Sequence, residues 1–559
     1  HTRSLCDWSS DVCSSDLLSA CGGEKGNDSA SSDAAWFEDV GAASGAALEH
    51  DLGAAQRRYW IPEITGSGLG LFDADGDGDL DLFVCQGGRL EDGDPAGSSD
   101  ALLLNDGTGR FTDVTREAGI DDRLFGMGCA AADYDGDGDV DLFVTNVGRN
   151  VLWRNEGDGT FTDVTDAAGL TEDAWSTSAA FLDYDGDGDL DLFHCNYIRW
   201  SSSNEVPCSN KLGEPDYCHP NNYDAPDVDR LWRNEGDGTF TDVTEASGIA
   251  KVFGNGLGVA WGDLTGDGLV DIYVANDGMA NQLWFNRGSG RFQDQALAKG
   301  CALSGEGKAE AGMGVLLEDL DGDLRLDLFV THLRSETNTF YRSRSRRFAD
   351  DTRRTGTVEA SLNFTAFGVG AADFDHDGDL DYYVANGRVG DATPRFSEDR
   401  VLAEPDQLFR GSGDGTFTEV LPRGGTATEL PTIGRGAAFG DLDGDGDVDV
   451  VVTDNGGTVR VLRNVAPKRG TWLQLDLREA DGGAALGARV TLQAGGRKQL
   501  RQVQTAYSYC ATNDPRVHFG VPEGSSIEGI QVQWADGTIE EVGLLEPGRL
   551  HTVRRSSDR

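Results

Sequence analysis

Seven times this chain repeats an acidic nonapeptide of the general form D-x-D-G-D-G-x-x-D, and each copy runs straight into an apolar stretch. The copies begin at Asp73, Asp133, Asp183, Asp263, Asp319, Asp373 and Asp441, separated by 60, 50, 80, 56, 54 and 68 residues. A unit of that length, built of short β-type segments, cannot bury both of its own faces. The copies must therefore pack on one another, and a period near 50 to 60 residues points to the blades of a β-propeller.

Each interval holds the same order of parts. A run of small residues comes first, as in Gly126-Met127-Gly128-Cys129-Ala130-Ala131-Ala132, and suits an innermost strand crowded against an axis. The acidic loop follows, then a second strand such as Asp141-Leu142-Phe143-Val144-Thr145, then a third ending in Asn, such as Leu152-Trp153-Arg154-Asn155. A Gly-rich turn leads to an outer strand marked by Phe111, Phe161, Phe240, Phe292, Phe348 or Phe417. That is six outer strands for seven loops. The missing one is read at the start of the chain, in Trp36-Phe37-Glu38-Asp39-Val40, before any loop. An early strand that completes the last blade closes the ring and leaves no sheet edge open. The expected fold class is all-β: a closed seven-bladed propeller over residues 36–465, then a small β domain.

Oxygen ligands at alternate positions, with glycines for tight turns, suit a hard cation such as calcium. Positions 1, 3, 5 and 9 are expected to offer side chains and position 7 its backbone carbonyl. In the first loop these are Asp73, Asp75, Asp77 and Asp81, with Asp79 at position 7. The second has Asp133, Asp135, Asp137, Asp141 and Asp139, and the third Asp183, Asp185, Asp187, Asp191 and Asp189. The fourth has Asp263, Thr265, Asp267 and Asp271, with Leu269 at position 7, and the hydroxyl in place of a carboxylate predicts weaker binding. The fifth has Asp319, Asp321, Asp323 and Asp327, with Arg325 lowering the local charge. The sixth has Asp373, Asp375, Asp377, Asp381 and Asp379, with His376 replacing the first glycine, which is tolerable if that residue keeps a negative φ. The seventh has Asp441, Asp443, Asp445, Asp449 and Asp447. An EF-hand is excluded, because it needs Glu at position 12 and flanking helices, whereas position 12 of the second loop is Val144 in a β-type run. Up to seven calcium ions follow; solvated acidic turns without metal are the competing reading. Dissociation constants of about 10⁻⁴–10⁻³ M, typical outside the cell, would make these ions structural rather than signalling.

The formal charge of −50 is drawn largely from these loops, which hold 32 Asp residues. Without metal the chain should repel itself, and binding to nucleic acid through a basic surface is disfavoured. No apolar run approaches the roughly 20 residues of a membrane span. Residues 1–17 resemble a translated sequencing-adapter fragment, and Leu18-Ser19-Ala20-Cys21-Gly22-Gly23 after them looks like a bacterial lipobox with Cys21 as the acylated residue. Residues 1–21 are thus read as an artefactual or signal remnant and 22–35 as a polar tether, with a chance LSAC as the alternative. An exported lipoprotein at the cell surface, in the periplasm or secreted is expected. Cys208 and Cys218, in a Pro- and Asn-rich insertion, are expected to pair, as export permits. Cys85, Cys129, Cys195, Cys301 and Cys510 are scattered singly and read as buried thiols.

From about residue 466 the loops stop, and alternation such as Ala488-Arg489-Val490-Thr491-Leu492, with Asp536-Gly537 as a hairpin turn, reads as a separate β domain to residue 555. The propeller resembles FG-GAP/VCBS-type repeats of the integrin-α kind. The tail, with Gly487-Ala488-Arg489-Val490, Asp514-Pro515-Arg516-Val517-His518-Phe519-Gly520 and Trp534-Ala535-Asp536-Gly537, resembles the ASPIC/UnbV domain. That pairing is similar to the cartilage acidic protein family. The resemblance implies extracellular calcium binding and adhesion-type roles, without one established activity.

Five residues past each loop stand Gln86, Asn146, Asn196, Asn276, His332, Asn386 and Asp454. Five strand steps span roughly 16–17 Å, so this polar ring should lie on the face opposite the loops. Two readings are open: the side chains cap the strand-ending turns, or they form the floor of a ligand site at the channel mouth, overhung by the Cys208–Cys218 insertion. His194 and His219 are candidate transition-metal ligands there, against a purely structural role. No G-x-S-x-G, H-E-x-x-H or Walker-type motif is present. The leading expectation is a calcium-stabilised surface protein that binds another protein or a glycan. The alternative is a propeller-class enzyme with its site at the axial mouth opposite the loops, and a third is a scaffold that docks a partner through its tail.

Overall fold

The computed structural model describes residues 34–53, 58–90, 97–345, 347–391 and 393–556. The lipobox-like Cys21 and most of the tether lie outside the described residues.

Seven four-stranded antiparallel blades follow one another along the chain. The second, for example, is Phe125–Ala132, Asp141–Arg149, Val151–Asn155 and Phe161–Asp163 from the axis outward. Each outer strand carries one of the six expected Phe residues. The seventh blade supplies only Gly434–Gly440, Asp449–Asp454 and Arg460–Asn464. Its fourth strand is Phe37–Asp39, with Phe37 opposite Asn464 and Asp39 opposite Leu462. The innermost strands touch their neighbours in order, and that of blade seven touches that of blade one, so the ring is closed. Small residues are required there. A Cβ on Gly314 would lie 2.1 Å from the Phe367 carbonyl oxygen of the next blade.

The tail forms two sheets of its own. One orders Val517–Pro522, Gly470–Arg478 and Leu550–Arg554; the other orders Arg497–Gln502, Arg489–Ala494, Ile527–Gln533 and Ile539–Glu541. It is not separate from the ring, as its alternating sequence suggested. Residues 34–559 make one compact unit, and Leu473, Leu475, Val490 and Trp534 share a core with Trp232 and Trp261 of blades three and four.

The link is deeper than a shared face. Residues 502–513 leave the tail, run into the bore of the ring and bond to every blade. Cys510 O accepts from Leu69 N of blade one (3.2 Å). The Thr512 hydroxyl accepts from Ala131 N of blade two (3.4 Å), and Cys510 N donates to the Ser178 hydroxyl of blade three (2.9 Å). The Gln502 amide donates to Trp261 O of blade four (2.9 Å), and Ser508 N to Val315 O of blade five (2.7 Å). The Ser508 hydroxyl accepts from Val369 N of blade six (3.0 Å), and Asn513 Oδ1 from Phe439 N of blade seven (3.1 Å). These contacts satisfy edge groups that a bare bore would leave to water.

Candidate metal centre

The seven loops share one backbone scaffold. The position 1 carboxylate accepts the amides of positions 4 and 6 in the first loop: Asp73 takes Gly76 N at 2.8 Å and Gly78 N at 3.1 Å. Both glycines have positive φ (77° and 97°), which only a residue without a Cβ adopts at no cost. The fifth and sixth loops make the same turn with side chains present, Leu324 at φ 66° and His376 at φ 60°. The expectation of a negative φ at His376 is therefore corrected: the loop geometry, not the residue type, sets the dihedral, and His376 is buried in compensation.

Position 9 opens the second strand and is fully buried. Asp81 accepts Ala74 N (2.8 Å) and Asn105 N (2.7 Å); Asp141 accepts Tyr134 N (3.2 Å) and Asn155 N (2.8 Å). Burial pushes these carboxylic acids up, Asp81 to about 7 and Asp141 and Asp191 to about 8, with backbone N–H donors offsetting only part of the desolvation. Burial therefore favours the neutral acid at each of these positions, and a nearby cation would favour the ionised form.

Carboxylate oxygens of positions 1, 3 and 9 converge within 4.8 Å of one another. The groups include Asp73, Asp75 and Asp81; Asp133, Asp135 and Asp141; Asp183, Asp185 and Asp191; Asp319, Asp321 and Asp327; and Asp373, Asp375 and Asp381. Position 5 is not among the three. Asp77, Asp137 and Asp187 instead turn one oxygen onto the amide of position 7, at 3.0 Å in each case. The fourth and seventh loops repeat the scaffold: Asp263 and Asp441 accept their loop amides, and Asp271 and Asp449 theirs.

The loops differ in what neutralises them. Among the described residues, no basic side chain is ion-paired to position 1, 3 or 9 of loops one, two and three. An all-oxygen, uncompensated donor set of this kind fits a hard divalent cation such as calcium. In the fifth loop Arg342 pairs with Asp321 (2.7 Å) and Arg325 with Asp323 (3.1 Å). In the sixth, Arg410 and Arg469 both pair with Asp375, at 3.1 and 3.0 Å. In the seventh, Lys468 and His376 reach Asp447, at 2.7 and 3.2 Å. The fit is therefore good in loops one to three and poor in loop six.

A feature seen in the sequence but not understood there is the Asn that ends the third strand. Its side-chain amide crosses to the loop of the preceding blade. Asn155 donates to Ala74 O (2.9 Å), Asn234 to Tyr134 O (2.8 Å), Asn286 to Tyr184 O (2.7 Å), Asn464 to Phe374 O (3.1 Å) and Asn105 to Leu442 O (2.7 Å). Blades five and six carry Ser343 and Gly411 at this place, next to the two loops rich in Arg partners.

The polar ring lies at the far end of the second strands but is no open floor. Gln86, Asn146, Asn196, Asn276, His332, Asn386 and Asp454 are each 1% exposed or less. Asn386 donates to Pro405 O, Asn276 to Ala280 O, and Asp454 pairs with Arg400. Burial, which sequence does not display, turns these residues into turn caps. The bore above them is filled: Tyr509 and Cys510 pack with Phe125, Met127, Leu257 and Phe367, and Ile61 closes that end. Cys208 and Cys218 are bonded, and the insertion reaches the short helical turn Ile61–Ile64 through the Tyr217 hydroxyl, which donates to Glu63 (3.2 Å). His194 accepts from the Trp232 indole (3.1 Å), whereas His219 accepts Asn221 N (3.2 Å); the two are engaged separately. The five single cysteines are buried and free.

The large opening is on the loop side instead. A cavity of about 780 Å³ lies between loops one to four and the tail. Asp135, Asp139, Asp187 and Asp189 face it from the ring; Arg478, Glu479, Asp481, Arg516 and Arg555 face it from the tail; Thr505 and Thr512 of the inserted segment line it too. The tail cations are already paired with tail carboxylates, Arg478 with Asp476 (2.7 Å), Arg516 with Asp514 (2.8 Å) and Arg555 with Glu479 (3.0 Å).

The chain matches the FG-GAP-like repeat family over residues 73–144, 133–194, 217–274, 263–330, 319–384 and 399–452, and the ASPIC and UnbV family over 478–559. It is similar to cartilage acidic protein 1 of Xenopus tropicalis, 29% identical over 325 residues, and of Homo sapiens, 29% identical over 307 residues. Those alignments cover 56% and 53% of this chain and 46% and 43% of the relatives, so the chain spans under half the length of the curated relatives it matches. Among solved structures, an Agrocybe aegerita lectin that recognises non-reducing terminal N-acetylglucosamine is a weak likeness: TM-score 0.35, 17% identity, 63% of this chain and 79% of that one.

Proposed function

This chain belongs to the FG-GAP-like repeat family and carries an ASPIC and UnbV domain, and from that premise we propose that it is a calcium-loaded binding protein that takes a glycan at its loop face. The observation that carries the reading is that loops one to three, where among the described residues no basic side chain is ion-paired to the carboxylates of positions 1, 3 and 9, border a cavity of about 780 Å³. A volume of that size belongs to sites for small ligands rather than to flat protein–protein surfaces. Asp73, Asp75 and Asp81, and their counterparts in loops two and three, would hold the ions. A bound calcium would supply positive charge to a wall that is otherwise acidic, and so permit hydroxyl-rich ligands to approach. The side chains of the tail then set the shape of the other wall.

An enzyme with its site at the axial mouth has less to rest on, since Tyr509 and Cys510 fill the bore and the polar ring is buried. Export accords with the Cys208–Cys218 disulfide, because such bonds persist in oxidising compartments. Anchoring through Cys21 is part of the same proposal.

The test is a glycan array probed with the purified protein in calcium and again in chelator. Signals that require calcium and are lost in Asp135→Asn are expected. Signals indifferent to calcium, or none at all, would reject the glycan reading.

A further inference from the structure

We infer that the sixth acidic loop is not a metal site but the socket by which the tail is fastened to the ring. Its sequence, D-x-D-H-D-G-D-x-D, is as acidic as those of loops one to three. Its surroundings are opposite. Asp75, Asp135 and Asp185 are exposed at position 3, whereas Asp375 is 1% exposed.

Two guanidinium groups occupy the position 3 carboxylate. Arg410 comes from the third strand of the same blade, and Arg469 from the first residues of the tail, with Nε atoms at 3.1 and 3.0 Å. Arg410 also reaches Asp377 at 2.5 Å. Two fixed positive charges thus stand where a divalent ion would bring the same charge, and like charges within one socket exclude each other. Guanidinium is suited to the task, being always charged and planar against carboxylate.

Further contacts of the loop reach the tail and the neighbouring blade. Arg497 of the tail pairs with Asp379, and Arg469 N donates to Asp375 O at 2.7 Å. His376 fills the space a glycine leaves open in other loops; its Nε2 lies 3.2 Å from Asp447 of loop seven, and its ring centre 5.3 Å from that of His518 in the tail. The tail backbone presses in at Gly470, where an added Cβ would sit 2.5 Å from His376 O. The tail backbone and two arginines thus cover the side from which a hydrated cation would approach the loop. The consequence is a division of labour: loops one to three answer to calcium, and loop six holds the tail whether calcium is present or not.

Crystals of the full chain soaked in calcium, with anomalous scattering recorded, test this directly. Ions in loops one to three and none in loop six are expected. An ion in loop six with Arg469 displaced would overturn the proposal. Calcium counting by native mass spectrometry on an Arg410→Gln, Arg469→Gln double variant adds a second arm: one ion more than wild type is expected, and an unchanged count speaks against the socket. Should that variant fail to fold, the wild-type crystal decides alone. Neither arm depends on glycan binding.

Discussion

Ser508 in the tail and Val315 in blade five exchange backbone hydrogen bonds, Ser508 N to Val315 O at 2.7 Å and Val315 N to Ser508 O at 3.0 Å. This is a single β-bridge made inside the bore of a ring, by a residue 193 positions further along the chain. Ser508 has φ 81°, a conformation proline cannot adopt, and its N–H is needed. Ser508→Pro should cost about 3 kcal/mol from lost bonding and backbone conflict. Ser508→Gly suits that φ but leaves the buried Val369 N–H without its hydroxyl acceptor, so it should cost about 1–2 kcal/mol, less than the proline. Denaturant midpoints of the two variants check the contrast.

The interblade amides carry a separate expectation. Asn155→Ala removes donors to Ala74 O and Val140 O and leaves two carbonyls near the loop unpaired. A loss of about 1–3 kcal/mol is expected in equilibrium unfolding. Asn363→Ala, on an exposed side chain bonded at 3.5 Å, should change little.

Much of this was legible in the sequence because it is local. The nonapeptide, the Phe strands and the early strand Phe37–Asp39 each announce themselves within about ten residues, and counting them against one another gave the closed ring. The third-strand Asn was equally visible, but its partner is 81 residues away in Ala74, so its role was not. The inserted segment misled for a different reason. Residues 502–513 alternate like any strand, and nothing in their composition says that they enter a bore. The arginine partners of loop six were not legible, because Arg469 and Arg497 lie about one hundred residues downstream of Asp375 and carry no motif. The polar ring could be located from its spacing past each loop, but its burial depends on the turns that fold over it.

In chelator, stability should fall as pH rises. Buried Asp81 and Asp271 ionise at about 7, and Asp141, Asp191 and Asp327 at about 8, against an ordinary value of 3.8. A folded-state pKa above the unfolded one means the stabilising term is complete below about pH 4 and is lost progressively up to about pH 8. Calcium favours the ionised forms and should flatten or reverse this slope. Melting temperatures from pH 4 to 8, with and without calcium, read the difference.

Asp135→Asn separates metal binding from folding. Asp135 is exposed at position 3 of the second loop, so the neutral amide should leave the chelated protein within about 0.5 kcal/mol of wild type. Calcium binding at that loop should weaken at least tenfold, as isothermal titration would show.

The central claim is that calcium in loops one to three holds this ring together, and thermal unfolding of the chelated full chain with calcium titrated back tests it most directly. At about 10 mM calcium, each site with a dissociation constant of about 10⁻⁴–10⁻³ M adds about 1.4–2.7 kcal/mol. Three such sites predict a rise in Tm of about 5 °C at that concentration for a chain of this size, growing with the logarithm of calcium above the dissociation constant. A Tm that stays flat across the titration would contradict the account.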